Sequence, residues 1–133
     1  MSNAQPHAPP LVRLEAVSKS YGTGPNQVHV LDGVDLDLRC GETTSLVGRS
    51  GSGKSTLIAL IAGLMRPDAG HINIGGQQTD KLDEAERAKL RAERIGVVLQ
   101  SNNLVPFLSA VENVELAMDF APGRRSCDAP WSA

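Results

Sequence analysis

Gly48-Arg49-Ser50-Gly51-Ser52-Gly53-Lys54-Ser55-Thr56 is the stretch from which the rest of the chain is read. It fits G-x-x-x-x-G-K-[ST], the phosphate-binding loop or Walker A pattern. The residue types follow from the chemistry. A triphosphate is a dense anion, and backbone N–H groups must wrap it closely. Gly48, Gly51 and Gly53 allow turns that side chains block. Lys54 can set a positive charge between the β- and γ-phosphates, and Ser55 offers a hydroxyl to Mg²⁺. The helix that follows points its first amides at the phosphates. A plain Gly/Ser turn is the alternative, and the flanks argue against it. Residues 43–47 (Thr-Thr-Ser-Leu-Val) read as a buried strand and residues 57–62 (Leu-Ile-Ala-Leu-Ile-Ala) as a helix. Strand, loop and helix is the order the motif requires.

Bulk properties limit the function classes. The 133 residues make room for one small domain. Aromatic residues are only 3% of the chain, so the core is aliphatic. A formal net charge of −2 leaves no electrostatic footprint for nucleic acid, and no nucleic-acid partner is expected. Cys40 and Cys127 form no framework and no metal-ligand spacing, and a reducing, cytosolic setting fits them. The longest apolar run, residues 57–65, is too short to span a bilayer. Residues 1–10 lack an apolar segment and carry Pro6, Pro9 and Pro10, which suggests a disordered tail rather than a secretory signal.

Taken in order, residues 11–17 read as a strand and residues 19–26 as a turn-rich loop. Tyr21 in that loop has two readings: it closes a turn, or it offers a flat face to an adenine ring. Residues 28–31 form a second short strand that Gly33 breaks, and residues 34–38 alternate cleanly, with Asp35 and Asp37 on the solvated face. Gly63 and Pro67 bracket a helix end, and residues 71–74 read as a strand before the Gly75-Gly76 turn. His29 and His71 read as structural or surface residues. Residues 81–94 form a highly charged helix with a solvated face. Residues 95–99 (Ile-Gly-Val-Val-Leu) fit a strand buried in a parallel sheet. Gln100, at its carboxyl end, is placed to reach a nucleotide. Ser109 and Glu112 form a capping box for a helix running to Met118. Residues 119–133 carry no apolar period and read as an irregular tail.

Residues 11–118 together resemble the ATP-binding domain of ABC transporters. Lys19-Ser20-Tyr21-Gly22 looks like the loop whose aromatic stacks on adenine. Leu31-Asp32-Gly33-Val34-Asp35-Leu36 through Gly41-Glu42 looks like the strand pair ahead of Walker A. Residues 57–70 resemble the family's L-x-x-x-I-x-G-L-x-x-P-x-x-G. Val98-Leu99-Gln100 with Asn103-Leu104-Val105-Pro106 resembles the Q-loop. Arg91-Ala92-Glu93-Arg94-Ile95-Gly96 and Val111-Glu112-Asn113-Val114 look most like the lipoprotein-release and macrolide-export branch.

The resemblance implies an α/β fold, a partial P-loop NTPase core with an N-terminal antiparallel β subdomain. It implies ATP and Mg²⁺ as ligands. Tyr21, Gly48, Ser50, Gly51, Ser52, Gly53, Lys54, Ser55 and Thr56 would bind the nucleotide, with Tyr21 stacking on adenine. Ser55 and Gln100 would serve the metal, and Gln100 the reactive water. The implied partners are a membrane-spanning permease subunit and a second ATP-binding domain, at the cytoplasmic face of the membrane. Arg49 and Leu99 depart from residues common in the family. No L-S-G-G-Q signature, Walker B run or switch histidine is found in the chain. A frameshift or premature stop would explain that, and hydrolysis by these residues alone is then doubtful. The alternative expectation is a truncated, non-catalytic relic that binds nucleotide weakly or not at all. A GTPase or nucleotide kinase is opposed by the missing N-K-x-D and by the Q-loop segment.

Overall fold

A computed structural model describes residues 9–98 and 104–119. Strand β1 is Val12–Tyr21 and strand β2 is Val28–Leu38, joined through a 3-10 turn at Gly24–Asn26. Helix α1 is Lys54–Ile61; strands β3 (Ala69–Ile74) and β4 (Gln77–Gln78) follow; helices α2 (Glu84–Arg94) and α3 (Ala110–Asp119) complete the elements. The four strands form one antiparallel sheet in the order β2-β1-β3-β4.

The alternation in β1 puts Val12 and Leu14 on the inner face, but Val17, three residues on, is also fully buried. A β-bulge explains the offset. The register steps from Leu14↔Leu36 to Val17↔Val34, and from Glu15↔His71 to Ser18↔Ala69, so β1 carries one extra residue against both neighbours. Ala16 takes a positive φ of 49° there, and the Asp35 carboxylate accepts its N–H at 2.8 Å. Gly70 packs so closely on this bulge that a Cβ would run into the main chain of Glu15 and Ala16. The inner face carries the core of Val12, Leu14, Val17, Leu31, Ile72 and Ile74, closed by Leu57 and Leu60 of α1 and Leu90 of α2. The outer face is polar, with Arg13 paired to Asp37 at 2.9 Å.

Several expectations change. Gly33 does not end a strand. β2 runs through it because its N–H donates to Ser18 Oγ at 2.9 Å and the register shift absorbs its positive φ of 58°. Residues 43–47 are not a strand: they belong to no helix or sheet, and Val47 is 89% exposed. Residues 95–98 likewise join no sheet, and Val98 is 92% exposed; Leu99 lies outside the described residues. A parallel strand holds its shape through ladder bonds on neighbouring strands. Among the described residues, none pairs with either segment.

Helix α2 is less solvated than its charge suggests. Asp83 and Glu86 form a capping box, Arg87 and Leu90 are buried, and Arg91 Nη1 donates to the Gly63 carbonyl at 3.0 Å. The Ser109–Glu112 box opens α3 as expected, with Ser109 N donating to Glu112 Oε2 at 2.7 Å and Glu112 N to Ser109 Oγ at 3.3 Å. Cys127 lies outside the described residues.

Candidate functional site: the phosphate loop at the start of helix α1

Three glycines shape the loop, each for a different reason. Gly51 and Gly53 have φ near +81° and +84°, a left-handed conformation that disfavours any side chain. Gly53 is the N-cap of α1 and rests directly on β2. A Cβ there would lie 2.8 Å from the Val30 carbonyl and 2.9 Å from Leu31 Cδ2. Gly48 is bare because a Cβ would come within 2.7 Å of Ser52 Oγ. The Ser52 N–H closes a turn onto the Arg49 carbonyl at 3.2 Å. Together these contacts fix the path of the main chain into the first turn of the helix.

Lys54 turns back onto that loop. Its ammonium donates to the Gly48 carbonyl at 2.8 Å, the Arg49 carbonyl at 2.7 Å and Ser52 Oγ at 3.1 Å. A cation held by oxygens of its own loop can exchange them for oxygens of a phosphate. Ser50, Gly51, Ser52 and Ser55 are exposed, and Thr56 is half-buried on the first turn. The loop therefore gathers one ammonium and three exposed hydroxyls of Ser50, Ser52 and Ser55 at the start of α1.

Tyr21 is the last residue of β1, paired with Val28. Val28 lies two residues along β2 from Val30, where Gly53 rests, roughly 7 Å at strand spacing. The aromatic and the loop thus meet the same end of the β1–β2 ladder. The ring is 44% exposed, and its hydroxyl donates to Met65 Sδ at 3.4 Å. Met65 belongs to the turn after α1, and that turn is clamped to β1. The Asp68 carboxylate takes Lys19 Nζ at 2.6 Å and the Ser20 N–H at 2.7 Å. The Lys19 ammonium first, then the Ser20 amide, hold the Asp68 carboxyl below its usual range. Gln100 lies outside the described residues.

Sequence reasoning missed Met65, Asp68 and the seat of Gly53 on Val30 and Leu31. Asp68 was readable only as part of a turn. A methionine four residues beyond a helix end carries no sequence signal of any kind.

A glycine-shaped loop with its lysine turned inward, opening a helix that packs on an antiparallel sheet, defines a P-loop nucleotide-binding protein. A family model described as ABC transporter matches residues 31–131, and the chain belongs to that family. It is 48% identical over 106 residues to the ATP-binding protein YbbA of Escherichia coli, covering 80% of this chain and 46% of that protein. It is 46% identical over 125 residues to the lipoprotein-releasing system ATP-binding protein LolD of Anaeromyxobacter dehalogenans, covering 94% and 52%. It is also 45% identical over 113 residues to the macrolide export ATP-binding/permease protein MacB of Hyphomonas neptunium, covering 85% and 18%. These matches bear out the lipoprotein-release and macrolide-export resemblance. The chain spans about half the length of YbbA and LolD.

Among solved structures, the ATP-binding cassette MJ0796 bound to ADP and Pi matches with a TM-score of 0.75 and 40% identity, over 86% of this chain and 50% of that one. The expected fold class, a partial P-loop NTPase core with an antiparallel β subdomain, stands.

Proposed function

We propose that this chain is the phosphate-loop part of an ABC transporter's ATP-binding component and binds MgATP through residues 48–56. The observation that carries it is the Lys54 ammonium held inside the loop at 2.7–3.1 Å from three loop oxygens. On binding, phosphate oxygens replace those partners, and the first amides of α1 add their donors. The Ser55 hydroxyl faces Mg²⁺, and Tyr21 stacks on the base. Gln100 orients water and metal in a complete domain. The complete component works with a membrane-spanning permease and a second ATP-binding domain, from the cytoplasmic side, and ATP turnover energises transport. The similarity to a cassette bound to ADP and Pi, and to LolD and MacB, supports that assignment.

The test is MgATP titration by calorimetry with the 133-residue chain and its Lys54→Ala variant. A hydrogen bond from a charged donor contributes about 1.5–3 kcal/mol, so affinity should fall roughly ten- to a hundred-fold while circular dichroism is unchanged. Equal affinity in the variant refutes the site.

A second reading, a weak and non-catalytic nucleotide binder, draws support from one observation. Residues 43–47 lead into the loop from outside any sheet, so among the described residues the loop is anchored on its helix side alone. A wild-type dissociation constant above the millimolar range favours that reading.

A further inference from the structure

Met65 has no part in the phosphate site, yet it touches the residue that faces the base. Its side chain is partly buried against the core cluster, so its position is fixed by packing. Tyr21 Oη donates to its sulfur at 3.4 Å. Thioether sulfur is a weak acceptor, but sulfur beside an aromatic residue is also favourable, and one bond is enough to bias a ring that is otherwise free to turn. We propose that Met65 is a positioning residue for base recognition, holding the Tyr21 ring in the orientation that stacks on a purine. The proposal rests on the stacking role of Tyr21.

Three further bonds make this separable from a structural role. Asp68 binds Lys19 Nζ at 2.6 Å and the Ser20 N–H at 2.7 Å, and its own N–H donates to the Ser18 carbonyl at 2.9 Å. The turn after α1 is therefore fastened to β1 without any help from Met65. Met65→Leu keeps nearly the same volume in the core and removes only the acceptor. Tyr21→Phe removes the same bond from the other side and keeps the ring. Tyr21 is the one tyrosine in the sequence, so a ¹³Cζ-tyrosine label reports on it without ambiguity.

The experiment titrates wild type, Met65→Leu, Tyr21→Phe, the double variant and Tyr21→Ala with MgATP and with magnesium tripolyphosphate, and records the tyrosine resonance of wild type and Met65→Leu. Met65→Leu should shift the resonance, weaken MgATP about two- to four-fold and leave tripolyphosphate unchanged. Tyr21→Phe should match it in affinity, and the double variant should be no weaker than either single one. Tyr21→Ala should lose about five-fold for MgATP alone. An unshifted resonance, or unchanged MgATP affinity in both Met65→Leu and Tyr21→Phe while Tyr21→Ala is weakened, overturns the positioning role and leaves stacking intact. Unchanged MgATP affinity in Tyr21→Ala overturns stacking itself and the proposal with it. Should Met65→Leu fail to fold, Tyr21→Phe alone decides, since it leaves the core untouched.

Discussion

Adding one methyl group at Gly53, and separately at Gly51, tests how the phosphate loop is held. Both residues sit at nearly the same positive φ, +84° and +81°. The backbone strain of an alanine is therefore the same in each, about 1–2 kcal/mol. Their surroundings differ. A Cβ on Gly51 meets nothing within 4 Å. A Cβ on Gly53 would lie 2.8 Å from Val30 O, 2.9 Å from Leu31 Cδ2 and 3.2 Å from Val30 Cγ1. Val30 O is main chain of β2, and Leu31 is a buried core residue, so neither gives way easily. Overpacking of this kind adds about 1–3 kcal/mol. Gly51→Ala should then cost about 1–2 kcal/mol in urea unfolding followed by circular dichroism, and Gly53→Ala about 2–5. Lys54 is the next residue, so relief of the clash turns its ammonium out of the loop, and MgATP affinity should fall further in Gly53→Ala than in Gly51→Ala. Equal costs in the two variants would mean the loop is not seated on β2 as described.

Two other perturbations follow from the sheet. Gly70→Ala drives a Cβ into the main chain of Glu15 and Ala16 at a positive φ of 84°, and it should remove about 4 kcal/mol or more, read as loss of a cooperative unfolding transition; a variant that unfolds like wild type would show that the bulge yields. The Asp68 carboxyl is held below its ordinary value by Lys19 and Ser20, so the unfolded chain binds its proton first as pH falls. The clamp's stability is fully present above the usual carboxylate range and is lost as pH falls through the lowered value. Asp68→Asn should be less stable than wild type at pH 7, and the two should converge towards pH 3; parallel curves would rule the clamp out as a pH-linked contact.

Local chemistry made much of this molecule legible in advance. The glycine spacing around Lys54 located the loop, and Ser109 with Glu112 located the start of α3, because each encodes its own backbone bonds. Asp83 with Glu86 carries the same capping pattern and went unread beneath the charge of residues 81–94. Ala16 was not legible at all. Nothing about alanine announces a positive φ; the bulge exists because Asp35 from β2 takes its N–H and Gly70 from β3 leaves room above it. Met65 belongs with it, since its role depends on where Tyr21 lies at the end of β1.

The two strand readings that failed, residues 43–47 and 95–98, failed for a shared reason. Both were read as buried strands from local sequence, which records what a segment is suited to bury, not whether anything covers it. A helix satisfies its backbone within itself, so α1 forms from its own residues and packs Leu57 and Leu60 onto the sheet. A parallel strand leaves half of its N–H and C=O groups for each neighbour. Residues 12–21 and 28–38 find those neighbours in each other and in β3, and form long strands despite their bulges. Residues 43–47 carry β-branched Thr43, Thr44 and Val47, yet Val47 stays 89% exposed, because no described strand offers it a ladder. Among the described residues, the phosphate loop is thus fixed from its helix side, by Gly53 on β2 and by the packing of α1, and no strand pairs with the segment that leads into it. Nucleotide affinity measured on these 133 residues therefore tests the helix side of the loop, where Gly53 and α1 hold it.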